Sequence, residues 1–145
     1  MILYLDTSAL IKRYLTEPGS QDVKAWISQA RPVSTSIITR AEMGAAITKA
    51  TRMNWINAEQ GQHILQLFRA EWEIFGRLPV NEATVQRADA LACQHGLRGY
   101  DAVHLACALL FRDGLGESIT LATFDRALWQ AARAEGLGLL PDSLP

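Results

Sequence analysis

Residues 2–15, ILYLDTSALIKRYL, run through four apolar side chains and stop at an aspartate with two hydroxyl residues behind it. Ile2, Leu3, Tyr4 and Leu5 are too few for a helix and include β-branched and aromatic side chains, so they read as a short, fully buried strand. From Ser8 to Leu15 the apolar residues return at helical spacing, until Pro18 and Gly19 break the pattern. A buried strand that passes straight into a helix is one half of a parallel α/β unit. In such folds, side chains at the carboxyl ends of strands emerge into the crevice where ligands bind, and Asp6 stands there. An aspartate before a helix is also a good N-cap, accepting from the first free amides. The functional reading gains ground over the cap only if carboxylates from distant parts of the chain converge on the same place.

Working outward, Ser20 is placed to cap a second helix in which Val23, Trp26, Ile27 and Ala30 recur at i, i+3, i+4 and i+7, making Trp26 a core residue. VSTS (33–36) reads as a strand, and ITRAEMGAAITKA (38–50) as a helix started by Ser36 or Thr39, with Glu42 in its first turns. Residues 57–75 read as one longer helix. Its stripe of Ile64, Phe68, Trp72 and Phe75 suits either the core or a surface for a second copy or another partner. RLPV (77–80) is a strand candidate, and residues 81–96 a helix from Asn81 to Gly96. Residues 100–114 form a helix that buries Val103, Ala106, Leu109 and Leu110 and has Asp101 in its first turn. SITLAT (118–123) is a strand, the helix around Asp125 ends at Gly136, and LGLL (137–140) is the last strand. This alternation predicts a three-layer α/β fold, a central parallel sheet of about four to five strands with helices on both faces. Right-handed crossovers then bring the strand ends to one edge.

A length of 145 residues, with no Ser/Gly/Pro-rich linker, suits a single domain, 1–145. With 49% hydrophobic and 20% charged residues, the composition is that of a soluble globular protein and not of a disordered one. The apolar run before Asp6 is too short for a signal peptide or a membrane span, so a cytoplasmic protein without membrane association is expected. Cys93 and Cys107 fit neither a CxxC metal site nor a disulfide framework and are expected to be buried thiols. The net charge of −1 gives no general attraction for nucleic acid, but if four of the 15 acids were gathered around a metal, the rest would be outnumbered by the 14 bases. Charge therefore leaves a nucleic-acid substrate open.

Asp6 and Asp125 follow strands, and Glu42 and Asp101 lie near helix starts. In a three-layer domain all four positions can share one edge of the sheet. Carboxylates so gathered repel and raise one another's pKa values unless a divalent cation binds between them. Mg2+ or Mn2+ suits an oxygen-only site.

In YLDTSAL (4–10), STSIITRAE (34–42), GYDAVHLA (99–106) and LATFDRAL (121–128) the sequence resembles the four acidic motifs of PIN-domain ribonucleases, and it is most similar to the VapC-type toxins of bacterial toxin–antitoxin modules. The resemblance spans nearly the whole chain and implies a PIN-like fold and a metal-dependent endoribonuclease. It implies that Asp6 and Asp101 are direct metal ligands, with Glu42 and Asp125 completing the acidic cluster. It further implies an RNA substrate, a cognate antitoxin, and products ending in 5′-phosphate and 3′-hydroxyl. Thr7, Ser8 and Thr123 are candidates for holding a metal-bound water or a phosphate oxygen, or else N-caps. For the RNA backbone, Lys12, Arg13, Arg40, Lys49 and Arg98 lie within a few turns of the proposed acids, and Arg126 is a candidate ion-pair partner of Asp125. A homodimer is expected, with the aromatic stripe as the surface for a second copy or for the antitoxin.

Other readings are weaker. Asp101 and His104 have the spacing of a di-iron bundle pair, but neither His63 nor His95 completes a second pair, so His104 is a packed residue or one standing behind the site. A haloacid-dehalogenase-like phosphohydrolase places a second aspartate two residues after the first, where this chain has Ser8. A non-enzymatic interaction domain explains the aromatic stripe but not the recurrence of acids at equivalent strand edges.

Overall fold

The computed structural model describes residues Met1–Pro145. Five short strands, β1 (Leu3–Leu5), β2 (Val33–Ser36), β3 (Gly76–Leu78), β4 (Thr120–Ala122) and β5 (Gly138–Leu140), form one sheet in the order β3-β2-β1-β4-β5. All four pairings are parallel. The helices are α1 (Thr7–Leu10), α2 (Ser20–Gln29), α3 (Thr39–Arg52), α4 (Ala58–Glu71), α5 (Glu82–His95), α6 (Gly99–Leu115) and α7 (Arg126–Ala134). Successive side chains of a strand point to opposite faces, and β1 divides its residues accordingly. Leu3 and Leu5 join Met43, Phe68, Trp72 and Phe75 on one side, and Tyr4 joins residues of α5, α6 and α7 on the other. Both leucines are fully buried, worth roughly 1.5–3 kcal/mol each. The expected three-layer parallel α/β architecture is the observed one.

β1 lies at the centre, with the chain moving outward to β2 and β3 on one side and to β4 and β5 on the other. The order therefore reverses between β1 and β4, which places a crevice at their carboxyl ends. β2 is polar yet buried because its hydroxyls are bonded: Thr35 donates to the carbonyl of Leu5 at 2.7 Å and shares a 2.7 Å hydrogen bond with Thr39.

Several boundaries differ from the sequence reading. The first helix is only α1 followed by a 3-10 turn at Ile11–Arg13. Ser20 does not cap α2. Gly19 does, at φ +89°, and a Cβ there would strike the ring of Phe124 at 2.7 Å. The Ser20 hydroxyl instead donates to the Leu15 carbonyl at 2.7 Å. α3 does start at Thr39, one of the two residues expected to begin it, with Ile38 as its N-cap.

The predicted 57–75 helix ends at Glu71 and tightens into a 3-10 turn at Trp72–Ile74. Phe68, Trp72 and Phe75 are buried against β1, so the aromatic stripe is core and not a docking surface. β3 stops at Leu78, before Pro79, which has no amide to donate to a ladder. Val103 and Leu110 are only partly buried, Trp26 is partly exposed and stacks on Phe124, and Cys93 is exposed while Cys107 is buried. Asn81 and Gly96 do bound α5, the first through a capping box with Thr84 and the second at φ +65°. No helix is long and apolar enough to cross a membrane.

Candidate active site

Asp6, the residue after β1, is 3% exposed and accepts hydrogen bonds from three donors. The Ala9 amide donates to its Oδ1 at 2.9 Å, so it is the N-cap of α1. The Ser8 hydroxyl stands 2.8 Å from both oxygens, and the Thr123 hydroxyl donates to Oδ2 at 2.8 Å. Burial drives its pKa upward, against the lowering effects of His104 and of the bonds from Thr123, Ala9 and Ser8. It therefore caps α1 at the carboxyl end of the central strand.

Glu42, in the first turn of α3, is held at Oε1 by the Thr7 hydroxyl at 2.7 Å and by Nε2 of His104 at 2.6 Å. Its pKa is lowered: burial is the largest single effect and pushes it up, but the hydrogen bond and charge of His104 and the bond from Thr7 together outweigh that. His104 is 2% exposed, and its Nδ1 meets the Tyr4 hydroxyl at 2.8 Å. The histidine that the sequence placed behind the site is thus in direct contact with a site carboxylate.

Asp101 occupies the first turn of α6 without capping it, and Asp125 caps α7 by accepting from the Leu128 amide at 2.8 Å. One guanidinium joins them: Arg98 donates from Nε to Asp101 at 3.1 Å and from an Nη to Asp125 at 3.3 Å. Burial raises the Asp101 pKa, Asp125 raises it further, and Arg98 opposes both. The contacts are continuous, because the Thr123 hydroxyl that reaches Asp6 also accepts from the Asp125 amide at 3.0 Å. Thr7, Ser8 and Thr123 are therefore tied to the acids, and none is an N-cap.

The four acids do gather at the carboxyl edge of the sheet, where Asp101 and Asp125 share Arg98, Glu42 is bonded to His104, and Asp6 accepts only from neutral donors. No three carboxylate or imidazole groups stand close enough together to share one ion. The donor set is oxygen-rich and hard, which fits Mg2+ or Mn2+ in chemistry. The cation bridging Asp101 and Asp125 is Arg98, whose side chain is 82% exposed. A cleft of about 580 Å3 beside them is lined by Glu42, Arg98, Gly99, Tyr100, Asp101 and Val103.

The other proposed RNA-contacting cations divide. Arg13 forms a two-pronged pair with Glu71 at 2.9 and 3.0 Å, so its charge is committed to the fold. Lys12 pairs with Glu17 at 2.9 Å and lies over the ring of Phe124. Arg40 is exposed near the Trp72 ring, and Lys49 is exposed on α3. Arg126 is exposed and is not the partner of Asp125; Arg98 is.

A family model described as PIN domain matches residues 3–134. A curated relative, Ribonuclease VapC45 of Mycobacterium tuberculosis, is 35% identical, with 99% of this chain and 97% of that protein covered. Among solved structures, FitAcB from Neisseria gonorrhoeae superposes with a TM-score of 0.72 at 20% identity, covering 97% of this chain and 98% of that one. A toxin–antitoxin complex from Klebsiella pneumoniae superposes with a TM-score of 0.67 at 21% identity, with all of both chains covered.

Proposed function

Because this chain belongs to the PIN-domain family, we propose that it is a metal-dependent endoribonuclease and the toxin of a type II toxin–antitoxin module, with Asp6, Glu42, Asp101 and Asp125 as its catalytic carboxylates. The observation that carries this reading is the gathering of the acids at the carboxyl ends of the strands, where Asp6, Asp125 and Asp101 are linked through Thr123 and Arg98 and Glu42 lines the same cleft as Asp101. Asp6 and Asp101 would hold Mg2+ or Mn2+ directly, with Glu42 and Asp125 beside them. A divalent ion bound there would make a water nucleophilic near neutral pH and would supply counter-charge at the phosphate.

The chain's own groups do the rest. Ser8 and Thr123 hold Asp6 in one rotamer, and Thr7 with His104 holds Glu42. The Arg98 guanidinium, once off the two aspartates, has the planar fork that matches a phosphate. Tyr100 is 66% exposed at the mouth of the cleft and offers a ring on which an RNA base can stack. Arg40 and Lys49 are left as backbone contacts, which position RNA without reading its sequence, whereas Lys12 is held by Glu17 and the Pro18 carbonyl. Arg13 is withdrawn from that set.

A small protein inhibitor is the expected partner, since the Klebsiella neighbour is a toxin–antitoxin complex. A second copy of the chain remains an expected partner too. Neither uses the aromatic stripe, which is interior. Incubation of the purified chain with RNA in Mg2+ and in EDTA tests the reading. Cleavage in Mg2+ that EDTA and Asp6→Asn both abolish is expected, and equal cleavage in both buffers would refute it.

A further inference from the structure

Resting on that reading of the site, we infer that His104 is a positioning residue that aims the second carboxylate oxygen of Glu42 into the cleft. Oε1 of Glu42 is fully engaged, by Thr7 at 2.7 Å and by His104 Nε2 at 2.6 Å, while Oε2 receives no hydrogen bond from the protein. An ionised carboxylate only accepts, so both contacts donate toward it. Glu42 has three side-chain torsions, and two donors on one oxygen fix the direction of the other. That free oxygen belongs to a residue lining the same cleft as Asp101.

The histidine is itself anchored. Its Nδ1 is bonded to the hydroxyl of Tyr4, a fully buried residue of the central strand, and the two rings meet edge to face at 6.0 Å. A histidine serving only the core could satisfy itself with buried partners. This one spends one nitrogen on Tyr4 and reaches with the other to a carboxylate whose side chain is 25% exposed. The line Tyr4 to His104 to Glu42 crosses from β1 through α6 to α3, so three rigid elements set the position of one oxygen. Groups that orient a metal ligand in this way typically cost about 10–100-fold in metal affinity or activity when removed.

The test compares wild type with His104→Ala, His104→Gln, Tyr4→Phe and Leu105→Ala, the last a fully buried neighbour on the same helix. Mn2+ and Mg2+ affinities are measured by calorimetry without RNA, and kcat and KM for RNA cleavage are measured alongside. His104→Ala is expected to weaken ion binding by about 10–100-fold and to lower kcat with little change in KM. His104→Gln, whose amide can donate to the same oxygen, is expected to recover most of both, and Leu105→Ala to lower the melting temperature while leaving ion affinity unchanged. Should His104→Ala not fold, Tyr4→Phe carries the test, with weaker ion binding expected in a folded protein. Wild-type affinity and kcat in a folded His104→Ala, or in Tyr4→Phe where His104→Ala fails, would overturn the inference alone. A wild-type protein that binds no ion would overturn the reading of the site and this inference with it.

Discussion

The Thr123 hydroxyl donates to Asp6 Oδ2 at 2.8 Å across 117 positions of sequence, joining the ends of the two strands between which the sheet order reverses. Asp6 is buried, its pKa is already raised by that burial, and this bond is one of the influences holding it down. Thr123→Val keeps the shape and removes the donor, so the Asp6 pKa rises further. A carboxylate whose folded pKa lies above its unfolded value of 3.8 favours the fold below that value and ceases to as pH rises through the folded one. The variant should therefore lose roughly 1–3 kcal/mol at neutral pH and progressively less as the pH approaches 4, by denaturant titration in EDTA.

Asp101 obeys the same sign. Burial and Asp125 raise its pKa, so its charge weighs against the metal-free fold at neutral pH. Asp101→Asn should melt higher than wild type in EDTA, with the difference vanishing toward pH 4. Mg2+ should stabilise wild type by roughly 2.7 kcal/mol at a hundredfold excess over its dissociation constant and the variant much less. Equal responses to Mg2+ would remove Asp101 as a direct ligand.

Arg98 is paired with Asp101, one of the two proposed direct ligands, and with Asp125 beside it, so an ion bound as proposed would compete with the guanidinium. Arg98→Gln leaves Asp101 and Asp125 facing each other without a counter-charge. It should melt lower than wild type in EDTA and show a larger rise on adding Mg2+. Turnover on RNA should fall, because the freed guanidinium is the proposed phosphate partner. A Mg2+ response equal to that of wild type would show that Arg98 does not stand in the ion's place.

Arg13 and Glu71, 58 positions apart, tie the turn after α1 to the end of α4, and the Tyr14 hydroxyl adds a third bond to the same carboxylate at 2.7 Å. Glu71→Ala removes the partner of a guanidinium that is only 26% exposed. A loss of roughly 1–3 kcal/mol is expected, with RNA cleavage per folded molecule unchanged. Reduced turnover at full folding would return Arg13 to the substrate-binding set.

The first strand was legible because a parallel strand buried on both faces reads as a short apolar run, as Leu3–Leu5 does. Asn81 and Gly96 were legible because cap chemistry is local. The four acids could be found because each follows a strand or opens a helix within a recognisable motif. Long-range partners left no local trace. Nothing near His104 announces Tyr4, 100 positions away, or Glu42, 62 away. Arg13 looks like a free cation until Glu71 arrives from elsewhere in the chain, and Arg98 has a local partner in Asp101 but shows nothing of Asp125. The aromatic stripe shows the converse limit, since periodicity reveals that a helix face is apolar and not what covers it.

The chemistry of the cleaved ends tests the central claim most directly. An ion held by Asp6 and Asp101 as proposed would supply an activated water for attack on phosphorus with departure of the 3′ oxygen, and the ribose 2′-hydroxyl would take no part. Purified protein with Mg2+ and a short end-labelled RNA should therefore leave a 5′-phosphate on the downstream fragment and a 3′-hydroxyl on the upstream one, and Asp6→Asn should leave the RNA intact. Fragments ending in a 2′,3′-cyclic phosphate, formed equally well in EDTA, would contradict the account.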